Sequence, residues 1–427
     1  MGDSLTRRSF LGVCLASGAA GALGWTGRAA EPSGNETFPG WKPGELDLHF
    51  IYTGCGENMF YRLPDGTSVL NDVGEFYRPK SLAEVPLLPS PDRLGGEWVS
   101  RYLQRVYPEK EIDYAIFSHW HADHIGHADF TWDKCAEGDW RYRTLPGGRK
   151  VDGFLCVAED FRVRRCYDHQ YPNRGAYGSE DSARRLLESW LEAQGEKGPA
   201  VEPFKVGALD QIRMTRDPKR YADFSIRNIC ANGVIWDGRD GTIDLAGEHV
   251  KATSAKSVNQ NVLSATFVIR YGKFSYFATG DLQTQVFRRA DGCAVDFETA
   301  VGALTGPVTV CKMGHHGCSN AMGGGLLRAV RAQTYVSCMW CPQQAHPESL
   351  DRIVATPAAD GSRPLVLPQL ICSSHRDWAK RRGETLAHLG AVHVVVKVFP
   401  GGERYRVYLL DAHDESMRVL ATFDRRA

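Results

Sequence analysis

The sequence has 427 residues, of which 43% are hydrophobic and 24% are charged. This balance is typical of a globular protein with a sizeable core, and it argues against intrinsic disorder and collagen-like repeats. Basic and acidic residues are equal in number, at 51 each. The protein therefore has no overall positive potential that would attract nucleic acid or an anionic membrane. A polyanionic partner would need a local basic patch.

The first thirty residues are predicted to be an export signal. Residues 6–11 read Thr-Arg-Arg-Ser-Phe-Leu, and an uncharged run over 12–25 leads to small residues at Ala29 and Ala30. This pattern resembles a bacterial twin-arginine signal, which implies the twin-arginine machinery as a partner and a periplasmic or extracellular protein. The run is shorter than the ~20 apolar residues of a membrane span, so we expect cleavage near Ala30 and no stable membrane span.

Strand patterns begin at residue 46. An alternating run over 46–52 is followed by strand candidates over 59–62 and 68–70, with glycine-containing turns between them. A helix is predicted over 96–107. The next predicted strand covers 113–117 and runs directly into a cluster of histidines.

The stretch over 131–247 has no regular pattern along most of its length. One helix stands out, because Ser179 is a good N-cap and Glu180 and Asp181 follow in the first turn. This helix could pack against the body of the protein or form a lid over a site. Since the chain has no long linker or internal repeat, we expect one domain over 46–427 that contains this stretch as a long insertion.

Strand patterns return with a pair over 264–271 and 274–278, which ends at Asp281, and a further strand over 309–312 precedes His315. This succession of strands and helices predicts a layered α/β protein. Each polar cluster follows the end of a strand. Reactive side chains are common at such positions, because the sheet holds them rigidly while leaving them accessible.

The histidine cluster over 118–127 packs five metal-capable side chains into nine residues. Alternate residues of a strand tail face the same side, so His119 and His121 can share one metal ion. Asp123 and His124 lie beyond the bend that ends the strand tail and can bind a second ion. A lone histidine is more often a structural core residue, but this density indicates two adjacent metal sites.

The cluster resembles the signature loop of metallo-β-lactamase-fold hydrolases. The wider pattern resembles the hydrolase domain of bacterial DNA-uptake competence proteins of the ComEC type. The matching elements are Gly54-Cys55-Gly56-Glu57, Asp72-Val73-Gly74, Asn261-Val262-Leu263-Ser264, Thr279-Gly280-Asp281, Gly314-His315-His316-Gly317-Cys318 and His346-Pro347. Together with the loop they span residues 46 to 353. The resemblance implies an αββα four-layer sandwich and two divalent metal ions, zinc first, with manganese or iron as alternatives.

The metal ligands expected on this basis are His119, His121, Asp123, His124, Asp281 and His315. Asp281 is suited to bridge both ions, since a carboxylate has two oxygens and a negative charge. His315 would complete the second site, and the alternative is that His316 binds while His315 orients it. The family's third histidine of the first site is replaced by Asn259-Gln260-Asn261. A neutral amide is a poorer ligand, so we expect weaker binding there and no true β-lactamase activity.

The expected nucleophile is a hydroxide between the two ions, because coordination lowers the pKa of water from about 15.7 to roughly 7. Asp123 could orient it, and His316 or His346 could protonate the leaving group or hold a phosphate. The predicted function is hydrolysis of a phosphodiester or related ester of a small molecule, with nucleic acid not favoured as substrate. The alternatives are hydrolysis of a lactone, lactam or thioester, and a non-catalytic metal-binding module.

Overall fold

The computed structural model describes residues 36–76, 84–127, 142–146, 148, 150–173, 181–253 and 258–427. The export signal over 1–30 and the predicted cap Ser179 lie outside these residues, and both stay predictions. Within the described residues, no helix is both long enough and apolar enough to cross a bilayer.

The described strands are β1 (Leu46–Phe50), β2 (Asn58–Arg62), β3 (Ser68–Val73), β4 (Glu111–Phe117), β5 (Arg143–Thr144), β6 (Lys150–Val151), β7 (Arg162–Asp168), β8 (Ala200–Pro203), β9 (Phe224–Ala231), β10 (Val234–Trp236), β11 (Thr242–Asp244), β12 (Thr266–Tyr271), β13 (Phe274–Ala278), β14 (Val286–Arg288), β15 (Ala294–Asp296), β16 (Val310–Lys312), β17 (Thr334–Ser337), β18 (Leu365–Pro368), β19 (Val392–Val398), β20 (Arg404–Asp411) and β21 (Val419–Arg426). The described α-helices are α1 (Gly95–Val106), α2 (Ala122–Ile125), α3 (Gly153–Asp160), α4 (Asp181–Gln194), α5 (Leu245–Thr253), α6 (Phe297–Thr305), α7 (Gly324–Val330), α8 (Pro347–Val354) and α9 (Ser373–Arg382).

Most strands belong to two large sheets. In the described part of the chain, the first sheet has the order β21-β20-β19-β1-β2-β3-β4-β7-β8 and the second has the order β11-β10-β9-β12-β13-β16-β17-β18. Each sheet is antiparallel on one side and parallel on the other. The parallel parts are β3, β4, β7 and β8 in the first sheet and β13, β16, β17 and β18 in the second.

Three apolar clusters define the layers. The first lies between the sheets and joins Leu48 of β1 to Phe267 and Ile269 of β12. The second packs α1, α3 and α4 on the outer face of the first sheet. The third packs α6 to α9 on the outer face of the second sheet, where it includes Val268. Successive residues of β12 thus serve opposite faces, as the strand period of two requires. The predicted α/β class and the αββα order of layers are confirmed.

The regular elements agree closely with the sequence prediction. Strands predicted over 46–52, 59–62, 113–117 and 274–278 are β1, β2, β4 and β13, and their ends shift by two residues at most. The helix predicted over 96–107 is α1, shifted by one residue. Such shifts at element ends are within the usual uncertainty of assignment.

The stretch over 131–247 differs from its prediction as an irregular insertion. β7 and β8 extend the first sheet, and β9 to β11 form one side of the second. β7 reads Arg-Val-Arg-Arg-Cys-Tyr-Asp, and Arg162, Arg164 and Arg165 are exposed on it while Val163 and Cys166 are buried. Two adjacent exposed arginines interrupt the alternation that indicates a strand. Part of this stretch therefore belongs to the core of the domain.

Candidate metal centre

Metal-capable side chains converge where strands of both sheets end. In the first sheet, β3 ends beside Asp72 and β4 ends two residues before His119. In the second sheet, β13 ends three residues before Asp281, and β16 ends shortly before His316. The centre thus takes its side chains from both sheets, at the ends of strands that the core holds in place.

The loop that follows β4 and includes the short helix α2 packs against two glycines beside β2 and β3. The backbone N–H of Glu57 donates to the carbonyl oxygen of Asp123 at 2.8 Å. A Cβ on Gly74 would lie 1.7 Å from the same oxygen, and a Cβ on Gly56 would lie 2.6 Å from it. Side chains at these two positions would displace the loop, which explains why the glycines of both sequence motifs stand here.

One group of metal-capable side chains consists of His119, His121 and Asp281. Their ligand atoms all lie within 4.8 Å of one another. His119 Nε2 is 2.9 Å from His121 Nδ1 and 3.9 Å from Asp281 Oδ2. His119 and Asp281 are buried, while His121 is partly exposed. The pairing of His119 with His121 is the one that the strand period predicted.

A second group contains Glu57, His124, His316 and, in common with the first group, Asp281. The Oδ2 atom of Asp281 is 3.2 Å from His124 Nε2 and 3.1 Å from His316 Nε2. Asp123 joins this group through its Oδ2 atom, which is 3.0 Å from His316 Nε2 and 3.8 Å from His124 Nε2. One oxygen of Asp281 therefore faces histidine nitrogens of both groups.

These distances fit a pair of divalent metal ions. Zinc binds nitrogen and oxygen ligands at about 2.0–2.2 Å, so two ligands of one tetrahedral ion lie about 3.4 Å apart. His124 Nε2 is buried and makes no hydrogen bond of acceptable geometry within the described residues, although Asp281 Oδ2 is only 3.2 Å away. A cation near both atoms would use both lone pairs, so this donor set fits a metal ion.

The outer nitrogen of each buried histidine is held by a protein group. His124 Nδ1 lies 3.0 Å from Asp72 Oδ2, and His316 Nδ1 donates to the carbonyl oxygen of Cys338 at 3.1 Å. His119 Nδ1 lies 3.1 Å from the hydroxyl of Ser118. Contacts of this kind fix the tautomer and the ring orientation of metal-binding histidines, and they leave each Nε2 directed into the centre.

Burial and charge act in opposite directions on the carboxylates. Burial alone would raise the pKa of Asp281, but the neighbouring His124 and His316 and the ammonium of Lys312 hold that pKa well below its usual range. Burial lowers the pKa of His119 well below its ordinary value, so its imidazole is neutral. An ionised carboxylate and a neutral imidazole are the forms that bind metal ions.

His315 and His316 point in different directions. Both residues have left-handed backbone conformations, with φ of 42° and 52° respectively. His316 is buried against Asp281 and Asp123, whereas His315 is partly exposed, belongs to neither group, and places Nδ1 2.8 Å from Asn320 Oδ1. His316, rather than His315, thus faces the other metal-capable side chains of the second group, which is the alternative stated for this pair. Two adjacent histidines have the same sequence signature, so only the turn geometry distinguishes them.

His346, a candidate catalytic residue, lies at the start of α8. Its Nδ1 accepts the backbone N–H of Glu348 at 3.3 Å, and Pro347 occupies the first turn. His346 belongs to neither group of metal-capable side chains among the described residues. In this structure it acts as an N-cap, which satisfies one of the free N–H groups of the helix.

Three residues of the centre were missed from the sequence. Glu57 and Lys312 are completely buried and form an ion pair, with Lys312 Nζ 2.6 Å from Glu57 Oε2. The indole N–H of Trp340 donates to Asp123 Oδ2 at 2.8 Å. Glu57 ends a quoted glycine motif and Lys312 ends an apolar strand, so a charge at a buried strand end was the available signal.

Asn261 is one of the three residues, Asn259 to Asn261, that replace the missing third histidine in the sequence. Its side chain is buried, and Nδ2 donates to Gln283 Oε1 at 3.0 Å. Its Oδ1 atom has no hydrogen-bond partner within the described residues. Buried polar atoms are nearly always satisfied, so this oxygen is a candidate neutral ligand for the first group.

No family model matches the chain, and no curated protein matches it. The solved structures that are similar to it include CmlA and PqqB. CmlA, a diiron β-hydroxylase from Streptomyces venezuelae, has 13% identity and a TM-score of 0.40, with 77% of this chain and 53% of CmlA covered. Zn²⁺-bound PqqB from Methylobacterium extorquens has 10% identity and a TM-score of 0.36, with 81% of this chain and 98% of PqqB covered. This chain thus spans about half the length of CmlA. The function is therefore inferred from the side chains of the centre.

Proposed function

We propose that the chain is a metal-dependent hydrolase that uses two divalent metal ions to cleave a phosphodiester or a related ester. The observation that carries this proposal is the position of Asp281. Its Oδ2 atom lies 3.9 Å from His119 Nε2 in one group and 3.1 Å from His316 Nε2 in the other. A buried carboxylate oxygen shared by two sets of imidazoles is suited to bridge two cations.

Each ion has its own set of ligands in this proposal. The first would be held by His119, His121 and Asp281, with the amide oxygen of Asn261 as the candidate neutral ligand. The second would be held by Asp123, His124, His316 and Asp281. Imidazole-rich sites with a few carboxylates suit zinc, and manganese or iron are the alternatives. Because the first set has fewer charged or imidazole ligands, we expect its ion to exchange more readily.

When bound, the ions supply Lewis-acid activation of water and of the ester oxygen. The protein residues supply orientation. Asp72 holds the ring of His124, and the indole of Trp340 holds the carboxylate of Asp123. His315 presents its Nε2 at the partly exposed rim, because Nδ1 faces Asn320. Preorganised groups of this kind contribute to catalysis because they do not have to move during the reaction.

The choice of a phosphodiester rests on the motif resemblance. The elements around Asn261 and around His315 match those of the competence-type hydrolases more closely than those of lactamases, which carry a third histidine. Carbon-centred esters and lactones are therefore the second choice. A panel of bis(p-nitrophenyl) phosphate, a lactone and a chromogenic cephalosporin separates the three classes of substrate.

The test combines metal analysis with this panel. We expect the purified protein to contain divalent metal and to hydrolyse bis(p-nitrophenyl) phosphate, and we expect Asp281→Ala and chelation each to abolish turnover. Asp113→Asn is a matched control, because Asp113 is a buried carboxylate that binds Ser68 and Arg216 outside both metal groups. Turnover that survives in Asp281→Ala, or that is lost equally in Asp113→Asn, would refute the assigned site.

A further inference from the structure

A buried ammonium group lies inside the proposed metal centre. Lys312 is the last residue of β16, and none of its side chain is exposed to solvent. Its Nζ atom lies 2.6 Å from Glu57 Oε2 and 3.2 Å from Asp281 Oδ1, and it also donates to the carbonyl oxygen of Gly280. Removing a charge from water is costly, so an ammonium in this position requires partners that stay ionised.

The two oxygens of Asp281 have different surroundings. Oδ2 faces the imidazole nitrogens of His124 and His316, at 3.2 and 3.1 Å. Oδ1 faces the ammonium of Lys312 at 3.2 Å. A metal ion that approached Oδ1 would have to displace a like charge. Asp281 therefore has one oxygen free for metal ions and one that is held by the protein.

Glu57 belongs by distance to the second group of metal-capable side chains, but it contacts His316 at the outer nitrogen of the ring. Its Oε2 atom is 3.3 Å from His316 Nδ1, whereas His316 Nε2 is the atom that faces Asp123 and Asp281. Glu57 and Asp123 thus contact different nitrogens of the His316 ring. Glu57 is placed to orient His316 and to neutralise Lys312, although its distances alone would also allow it to be a ligand.

This inference rests on the proposed function. We propose that Lys312 is a permanent counter-cation and a positioning residue of the metal centre. It holds Oδ1 of Asp281 and the carboxylate of Glu57, so that Asp281 offers only Oδ2 to the metal ions and Glu57 does not act as a ligand. The charge of Lys312 then limits how tightly the centre binds divalent metal.

The proposal predicts opposite effects for the two halves of the ion pair. Lys312→Met removes a positive charge close to the ions, so zinc should bind roughly tenfold or more tightly than in the native protein. Glu57→Gln removes a negative charge and leaves the ammonium less neutralised, so zinc should bind more weakly by a similar factor. The double variant should return close to native affinity, because its net charge is that of the native centre.

The measurement is competition for zinc against a chromophoric chelator, with the full chain and each variant. Lys397→Met is the matched control, because Lys397 is a buried lysine between Glu45 and Asp47, outside both metal groups. The control should lower the melting temperature of the metal-free protein and leave zinc affinity unchanged. If Lys312→Met does not fold, Glu57→Gln and the double variant still decide the question.

The outcomes separate the two proposals. A native protein that binds no divalent metal would overturn the proposed function itself. Native metal binding with unchanged or weaker zinc affinity in Lys312→Met would overturn the role of Lys312. Zinc affinity that stays as low in the double variant as in Glu57→Gln would show that Glu57 is a ligand, which also overturns this inference.

Discussion

His315 and His316 occupy a strained turn after β16. Left-handed conformations are uncommon for residues other than glycine and cost of order 1–3 kcal/mol each, so surrounding contacts must stabilise two of them in succession. Two such contacts are present: the carbonyl oxygen of His316 accepts the hydroxyl of Ser337 at 2.6 Å, and its Nδ1 donates to Cys338 at 3.1 Å. The strain is thus located where the turn directs one ring inward and the other toward the rim.

The turn makes a prediction about this pair of histidines. His316→Ala should lose the ion of the second site, because Nε2 of His316 is the nitrogen that faces Asp123 and Asp281. Metal content measured by elemental analysis should fall from about two ions per chain to about one. His315→Ala should keep both ions, because His315 belongs to neither group of metal-capable side chains among the described residues. Equal metal loss in the two variants would contradict the assignment.

Residues of the site were predictable where several metal-capable side chains stand close together in the sequence. His119, His121, Asp123 and His124 stand within six residues, and the structure brings all four to the two groups. The buried pair of Glu57 and Lys312 could not be found in this way, because the two residues are far apart in the chain and neither has a repeating pattern. Their proximity depends on how the two sheets pack.

Strands were predictable from the sequence where each of their two faces packs against other elements of the protein. β12 and β13 are covered by the opposite sheet on one face and by helices on the other, so they read as apolar runs with glycine at the turn. β7 has exposed arginines on both faces, at 162, 164 and 165, and lies beside the short strand β8. Its charged positions conceal the period of two, so the sequence over 131–247 does not indicate this strand.

The pairing of β1 with β19 includes a buried histidine. His393 of β19 is 5% exposed, and its Nδ1 accepts the backbone N–H of Tyr52, two residues beyond the end of β1. The ring also packs 4.8 Å from the ring of Tyr102. Burial lowers the pKa of His393 to about 4, against a small opposing effect of Asp411. The neutral imidazole therefore extends the contact between these two strands.

The lowered pKa of His393 predicts that the protein loses stability in acid. The pKa of His393 is lower in the folded protein than its ordinary value of about 6.5. Its contribution to the free energy of unfolding is therefore fully present above pH 6.5 and is lost as the pH falls from 6.5 to about 4. The loss in the free energy of unfolding should be on the order of 3 kcal/mol. His393→Gln keeps an acceptor but does not titrate, so urea unfolding across this range should show a shallower pH slope. An unchanged slope would remove His393 as the cause.

At the scale of the whole molecule, the metal centre joins the two sheets. His119, Asp123 and His124 follow a strand of the first sheet, and Asp281 and His316 follow strands of the second. The two sheets are therefore connected in two ways, by the apolar residues between them and by the metal centre at the ends of their strands. The strand patterns predict a layered α/β protein and the family resemblance implies four layers, but this connection depends on which strand ends meet.

Metal removal should consequently destabilise the entire domain. Without ions, the buried carboxylates of Asp123 and Asp281 lose the cations that offset their burial, and the two sheets lose a shared contact. A ligand that binds only the folded state stabilises it by about 2.7 kcal/mol when its free concentration is a hundred times the dissociation constant. In zinc buffers, the melting temperature should rise with free zinc and fall reversibly on chelation. Asp281→Ala should show little of this dependence, because the shared ligand is absent. Two results would contradict a centre that links the two sheets. One is a native melting temperature that does not change with free zinc, and the other is a variant whose melting temperature rises with zinc as much as that of the native chain.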